Sequence, residues 1–351
     1  MAIFIAEEFD GHEEVIFTHD SCTGLRAIIA IHSTRLGPAL GGCRMFRYAS
    51  EEDAVRDVLR LSRGMTYKAA VAGVALGGGK SVIIGDPRKE KSRELLLAMG
   101  RAIERLNGRY IAGEDIGTNP EDMGIIRQQT KSVSCLTESD SGYGDPAPLT
   151  ALGVLQAIKA GLAAVHGSDV LKDLTVAVQG VGNVGLHLCR QLAAEGARLV
   201  VCDALAENAA RAVALGARSV SCEEIYAVDA DVFAPCAIGA TLNDETVVQL
   251  KARIVAGGAN NQLARERHAE SLRARGILYV PDYVANGGGL ISCAAEWYRS
   301  PRTAIRHDVL KIRETCAEII RRSKESNQTT LKVANTLAEG RLGLKSALSE
   351  R

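Results

Sequence analysis

"TVAVQGVGNVGLHL", Thr175 to Leu188, sets Gly180, Gly182 and Gly185 in GxGxxG spacing directly after a valine-rich run. The run reads as a buried strand, and "VGLHLCRQLAAEGA" after it reads as a helix. That context gives the glycines their meaning. One permits a tight turn, one lets backbone approach a pyrophosphate, and one lets helix pack on strand, while the helix N-terminus attracts phosphate. "RLVVCD" forms the next strand and closes on Asp203, eighteen residues after Gly185. Its carboxylate can accept hydrogen bonds from adenosine ribose hydroxyls and would repel a 2′-phosphate. No Arg or Lys follows closely in "VCDALAENAA", so the pattern predicts NAD rather than NADP. Gly180, Val181, Gly182, Asn183, Val184, Gly185 and Asp203 are the expected contacts; a purely structural glycine turn is the alternative.

Outward from this stretch the alternation continues through "ENAARAVALGA", "ADVFAPC", "ARIVAGG" and "GILYVPD". Strands alternating with helices imply a mostly parallel sheet with helices on both faces. Upstream, "SDSGYGDPAP" (Ser139 to Pro148) is dense in turn residues and reads as part of a domain junction, with a helix beginning near Thr150. Before it, "GLRAIIAIHS" suits a strand, and Ser50 caps the helix "SEEDAVRDVLRLSRGM", whose first-turn acids suit the helix dipole. "AAVAGVAL" and "SVIIGD" read as strands around a glycine turn, "SRELLLAMGRAIERLNG" as an amphipathic helix stopping at Gly108, and "RYIAGED" as a strand. Helical spacing resumes from about Arg302, long enough to return to the first domain.

A chain of 351 residues exceeds one ordinary core. The expected architecture is two-domain α/β: residues 1–147 with 326–351 in one domain, and a doubly wound Rossmann domain over 148–325. Forty-two basic residues balance forty-two acidic ones, which gives no electrostatic reason to expect nucleic acid or an anionic membrane. Nine scattered cysteines without a CxxC pair argue against a disulfide framework or zinc knuckle, and no HExxH spacing supports a metal. The N-terminus lacks a signal-peptide pattern, and no apolar run is read as long enough to span a bilayer; a cytoplasmic protein is expected.

"GMTYKAAVAGVALGGGK", Gly64 to Lys80, places Lys68 and Lys80 in a run of small and apolar residues. For any single lysine the bland reading is an ammonium that snorkels to solvent. Here the neighbours are too small to form a solvated charged face, and "GEDIGTN" brings Glu114 and Asp115 as possible counter-ions. Two lysines together in a cleft would depress each other's pKa, and a shift of about three units would leave one neutral near pH 7. The other could hold a carboxylate, and an aspartate could shuttle a proton. That constellation suits oxidation at a carbon carrying an amine.

"LGPALGGCRM", "GMTYK", "GGGKSVIIGDP", "GEDIGT", "VQGVGNVG", "FAPCAIGATLN", "GGANNQL" and "PDYVANGGG" together resemble the Glu/Leu/Phe/Val dehydrogenase superfamily, over about residues 24 to 297. The resemblance implies an N-terminal substrate-binding domain that also builds a homo-oligomer, separated by a cleft from the NAD-binding domain. It implies that Lys68 binds the substrate α-carboxylate, that Lys80 is the general base activating water, and that Asp115 assists proton transfer. Gly42 and Met65 would line the site, Asn261 with Asn260 would face substrate and nicotinamide, and Thr150, Cys236 and Ala237 would contact NAD. A nucleophilic role for Cys236 is disfavoured, since no histidine lies near it in sequence.

Glutamate-specific members carry a lysine just before the paired glycines, where this chain has Leu40. A buried substrate carboxylate would there lack a partner, at a cost of several kcal/mol, so the substrate side chain should be apolar. Leucine and valine enzymes tend to have Ala at Gly113 and Val at Leu290, and the glycine and leucine here resemble aromatic-preferring members. Cys293 falls at another pocket position. The rest of the first domain is more similar to the leucine branch, so branched-chain amino acids are favoured, with phenylalanine as the alternative. A non-catalytic NAD sensor would have lost Lys68, Lys80 or Asp115, and all three are present.

Overall fold

The computed structural model describes residues 3–140, 142–237 and 239–343. The chain forms two compact units: residues 1–145, 292–302 and 338–351 in the first, and 146–291 and 303–337 in the second. The sequence reading placed 292–302 with the dinucleotide domain and set the C-terminal return at 326 rather than 338.

The first unit holds strands β1 (Glu14–Asp20), β2 (Leu25–Ser33) and β3 (Ala39–Phe46), helix α1 (Glu51–Ala72), strand β4 (Gly77–Ile84), helix α2 (Arg93–Glu104), strand β5 (Tyr110–Glu114) and helix α3 (Pro120–Ile126). Its sheet runs β1-β2-β4-β3-β5. The β1–β2 and β2–β4 pairs are antiparallel, while β3 is parallel to both β4 and β5. Alternation along β2 sends Ile29 and Ile31 to a core shared with Leu96, Met99 and Ile103 of α2 and Met123 and Ile126 of α3. Ile28 and Ala30 point the other way, against Val55, Val58 and Leu59 of α1.

Helix α1 starts where expected: Ser50 accepts from the Asp53 N–H, and Glu51, Glu52 and Asp53 fill the first turn. It then runs further than expected. "AAVAGVAL" is not a strand; its first four residues complete α1, which ends at Gly73 in the left-handed conformation, φ 70°. The glycine turn expected before Lys80 is also replaced. Gly77, Gly78 and Gly79 are the opening residues of β4. A Cβ on Gly78 would lie 2.0 Å from the Thr66 amide nitrogen, so α1 rests directly on this strand and only glycine fits beneath it.

The second unit begins with helix α4 (Ala147–His166) and continues with β6 (Thr175–Gln179), α5 (Asn183–Ala194), β7 (Arg198–Cys202), α6 (Ala206–Val213), β8 (Arg218–Ser219), β9 (Val232–Pro235), α7 (Asp244–Val247), β10 (Ile254–Val255), α8 (Arg267–Ala274), β11 (Leu278–Tyr279) and α9 (Asp282–Ala285). Helices α10 (Gly288–Trp297), α11 (Arg302–Leu310), α12 (Ile312–Ser326) and α13 (Thr330–Arg341) complete the described chain. The sheet order is β11-β10-β9-β6-β7-β8, parallel throughout. From the edge strand β8 the chain returns to the middle of the sheet and adds β9 on the other side of β6, so the strand order reverses beside β6, the position at which doubly wound sheets take ligands.

Helix α4 corrects the expectation that no apolar run reaches bilayer length: it has 20 residues, and an 18-residue window within it has a mean hydropathy of 1.5. It is a core helix, with 61% of that apolar window buried. A Cβ on its Gly161 would lie 2.9 Å from Ile254 of β10, which shows how closely it packs on the sheet.

Candidate active site

The parallel pairing of β3 and β5 sets Gly42 beside Gly113, with Asp115 just beyond the end of β5. The pairing of β3 with β4 brings Lys80 into the same neighbourhood. Lys80 is 5% exposed, and its Nζ lies 2.7 Å from Asp115 Oδ2. A Cβ on Gly42 would sit 2.7 Å from Asp115 Cβ and 3.0 Å from Lys80 Nζ. The glycine is therefore required by the ion pair; any side chain would push into it.

Asp115 has a second cation. Arg44 donates from Nε to the same Oδ2 at 2.8 Å, and from Nη1 to Asp57 Oδ2 at 2.8 Å. Tyr48 donates to that Asp57 oxygen at 2.6 Å. Burial works against charge on Asp115, but Lys80 and Arg44 overcome it and hold the carboxyl down at about 2. Thr118 Oγ1 donates to the Cys43 carbonyl at 2.8 Å and accepts from the Asp115 N–H at 3.0 Å, which fixes the backbone beneath the carboxylate. The group set against Lys80 Nζ is thus a carboxylate that stays ionised. Arg44, inside the "LGPALGGCRM" stretch, was given no role by the sequence reading, because nothing local says which acid its fork will meet.

Glu114 behaves in the opposite way. Burial raises its carboxyl to about 7, with Asp145, Glu121, Asp115 and Glu296 adding negative charge around it. Two adjacent carboxyls therefore differ in protonation at neutral pH.

Lys68 and Met65 are half-buried on α1, Lys68 one turn before its end. Thr66 between them accepts or donates at 2.8 Å with His32 Nδ1, and His32 Nε2 meets the Asp10 carbonyl at 3.0 Å. Leu40 is buried two residues before Gly42, on the same face of β3. Cys293, on α10, reaches the residues behind Gly113: its Sγ is 2.7 Å from Cys135 Sγ, and Ser134 Oγ donates to its carbonyl at 3.0 Å. Leu290, also on α10, is buried in the second unit.

In the second unit each glycine of the loop has a distinct surrounding. Gly180 takes φ 86°, and a Cβ there would strike Ala237 at 2.6 Å. A Cβ on Gly185 would lie 2.0 Å from the Gly180 carbonyl, which is the close helix–strand contact. Over Gly182 nothing lies within 4 Å, and this residue caps α5 without a side-chain hydrogen bond. Open space over uncapped helical N–H groups, with exposed Asn183 and half-buried Val184 following, fits a pyrophosphate. Asp203 stands beside the loop, its Oδ2 accepting from the Val181 N–H at 2.8 Å and its Oδ1 from Leu205 N–H at 2.9 Å. Those bonds aim the carboxylate and leave lone pairs for further donors.

Of the other expected contacts, Ala237 lies against Gly180 and Cys236 against Gly185. Cys236 accepts from the Gly258 N–H at 3.4 Å, and burial pushes its thiol up to about 11, which suits packing rather than nucleophilic attack. Thr150, near the start of α4, donates to the Pro146 carbonyl at 3.1 Å. Asn260 and Asn261 are exposed on the segment after β10, Asn261 with φ 52°. Asn260 Oδ1 accepts from Asn286 Nδ2 at 2.7 Å. Asn286, 2% exposed and also bonded to the Gly258 carbonyl, was not singled out from sequence.

The chain's likeness to known proteins agrees with this geometry. Residues 12–132 match the profile of the Glu/Leu/Phe/Val dehydrogenase dimerisation domain, and residues 203–344 that of Glutamate/Leucine/Phenylalanine/Valine dehydrogenase. Leucine dehydrogenase of Bacillus cereus is 51% identical over 337 residues, covering 96% of this chain and 92% of its own. Phenylalanine dehydrogenase of Caldalkalibacillus thermarum is 44% identical over 355 residues, covering 99% and 96%. The crystal structure of L-tryptophan dehydrogenase from Nostoc punctiforme superimposes with a TM-score of 0.82 at 46% identity, covering 95% of this chain and 96% of that one. With its buried lysine–aspartate pair in one unit and its glycine loop in the other, the chain is a member of the Glu/Leu/Phe/Val dehydrogenase family, an amino acid dehydrogenase.

Proposed function

We propose that this protein catalyses the reversible NAD-dependent oxidative deamination of a hydrophobic L-amino acid. Amino acid, NAD and water give the 2-oxo acid, ammonium, NADH and a proton. The observation that carries the reading is the Lys80–Asp115 ion pair, buried against Gly42 and braced by Arg44.

In this reading the first unit binds the amino acid. Lys68 holds the α-carboxylate. Asp115, kept anionic by two cations, accepts hydrogen bonds from the substrate amine and handles its proton, while Lys80 exchanges a proton with the water that adds to the imine. Leu40 offers the substrate side chain an apolar neighbour with no cation for a distal carboxylate. The second unit holds NAD, which supplies the hydride acceptor. Gly180, Gly182 and the first turn of α5 receive its pyrophosphate, Asp203 its adenosine ribose, and Thr150, Cys236, Ala237, Asn260 and Asn261 its remaining contacts. Asp203, with no Arg or Lys close after it in sequence to take a 2′-phosphate, supports NAD over NADP.

Branched-chain substrates are favoured, in keeping with the leucine dehydrogenase relatives; the phenylalanine relative keeps aromatic substrates as the second reading. The profile matched by the first unit is described as a dimerisation domain, which supports a homo-oligomer. The test is to mix protein, NAD and L-leucine at alkaline pH and follow NADH absorbance, then compare kcat/KM for Leu, Val, Ile, Phe and Trp. Lys80→Ala should abolish turnover and leave NAD affinity unchanged. Silence across the panel refutes the proposal.

A further inference from the structure

Gly113 bears on the choice between branched and aromatic substrates, because a glycine in a pocket wall suggests extra room. The surroundings of Gly113 say otherwise. Gly113 pairs with Gly42 across β3 and β5, so both present the same face of the sheet, the face on which Gly42 meets Lys80 and Asp115. A Cβ on Gly113 would meet Cys135 Sγ at 3.0 Å and Cys135 Cβ at 4.0 Å, with nothing else within 4 Å. The volume that the glycine gives up is already occupied.

Cys135 reaches that place by an unusual backbone. Its φ is 63°, in the left-handed region that side chains other than glycine rarely adopt. The segment is held there on both sides: Ser134 N–H donates to the Ala112 carbonyl at 2.8 Å, and Leu136 N–H donates to Glu296 Oε1 at 3.1 Å. The resulting direction sends the sulfur to Gly113 and to Cys293, whose Sγ is 2.7 Å away. Cys135 is buried, so the site gains a thiol wall where a glycine at that backbone position would leave a hollow.

We propose that Cys135 is a specificity-determining residue for the substrate side chain, and that Gly113 is small to admit its sulfur rather than to admit a larger substrate. The inference rests on the deamination reading and sharpens it: the pocket is no wider at Gly113 than that of an enzyme with alanine there, which places the substrate in the branched-chain class.

The experiment compares kcat/KM for L-leucine and L-phenylalanine in wild type, Cys135→Gly, Gly113→Ala and the double variant, with thermal midpoints for each. Cys135→Gly relieves the left-handed strain and empties the sulfur's volume. The phenylalanine-to-leucine ratio should rise at least tenfold, by about the discrimination that one or two carbon-sized groups provide, and the midpoint should not fall. Gly113→Ala alone should lower both midpoint and leucine turnover, and Cys135→Gly should restore both in the double variant. A ratio within twofold of wild type for Cys135→Gly, or a Gly113→Ala defect that Cys135→Gly does not repair, overturns the inference alone. Wild type silent with every amino acid removes the deamination reading and this inference with it.

Discussion

Replacing Asp115 with asparagine keeps the side chain's shape and removes its charge. Asp115 is one-fifth exposed at its side chain, and the two cations on its Oδ2 are Lys80 at 2.7 Å and Arg44 at 2.8 Å. Its carboxyl falls from an ordinary 3.8 to about 2. Because the folded value is the lower one, the stabilisation is complete above pH 4 and is lost as pH falls through 2. At 1.36 kcal/mol per pH unit the ionised carboxylate contributes about 2.5 kcal/mol at pH 7 and about half of that at pH 3. Stranding two cations without their anion can cost about 3–5 kcal/mol when they are fully buried. Partial exposure of Asp115 and Arg44 keeps the expected loss near the smaller figure. Urea unfolding of wild type and Asp115→Asn at matched concentration, at pH 7 and pH 3, measures the gap directly. A gap below about 0.5 kcal/mol at pH 7, or one equally large at pH 3, would show that the carboxylate is not held by these cations.

Gly42→Ala puts a methyl group 3.0 Å from Lys80 Nζ and should lower kcat about 100-fold while NAD affinity, measured by fluorescence titration, stays unchanged. Glu114, raised to about 7 from an ordinary 4.5, destabilises the folded chain once it ionises, so wild-type stability should decline as pH rises from 4.5 through 7. Glu114→Gln should abolish that decline in a denaturant titration across the same range. His32 is held at about 4 by burial, with His12 adding to the effect, so its folded value lies below the ordinary 6.5. Its stabilisation is complete above pH 6.5 and lost as pH falls through 4, by about 3 kcal/mol, and His32→Gln should flatten that limb of the stability curve.

The dinucleotide half was legible because its signals are local. Valine-rich β6, the glycine spacing and Asp203 at the end of β7 lie within one strand–helix–strand unit, and the structure gives each glycine a surrounding that suits its expected part. Asp115 as a counter-ion was also legible, from a charged pair set among glycines. What escaped reading was decided by contacts distant in sequence. Gly77 to Gly79 carry turn-like residues yet lie in a strand, because the Ser33 and Gly37 main chain crowds Gly77, α1 presses on Gly78 and the Tyr110 ring lies over Gly79, leaving no room for side chains. Helix α1 absorbed "AAVA", whose alanines suit helix as well as a buried strand, and Gly73 set its end. Strand β1 was missed because its half-buried "EVIFTHD" lacks the continuous apolar run that marks β2. Cys135 carries no sequence mark of its left-handed backbone, and the effect of Gly113 on pocket width cannot be read without it.

The seat of α1 on β4 bears on how far this enzyme can be redesigned. Thr66 meets Gly78 main chain to main chain, so the register between the helix that carries Lys68 and the strand that carries Lys80 does not depend on exchangeable side chains. Libraries that vary Leu40, Cys135 or Cys293 can reshape what the protein accepts while the two amines keep their spacing. Libraries that touch Gly77 to Gly79 would instead dismantle the frame in which any substrate is measured.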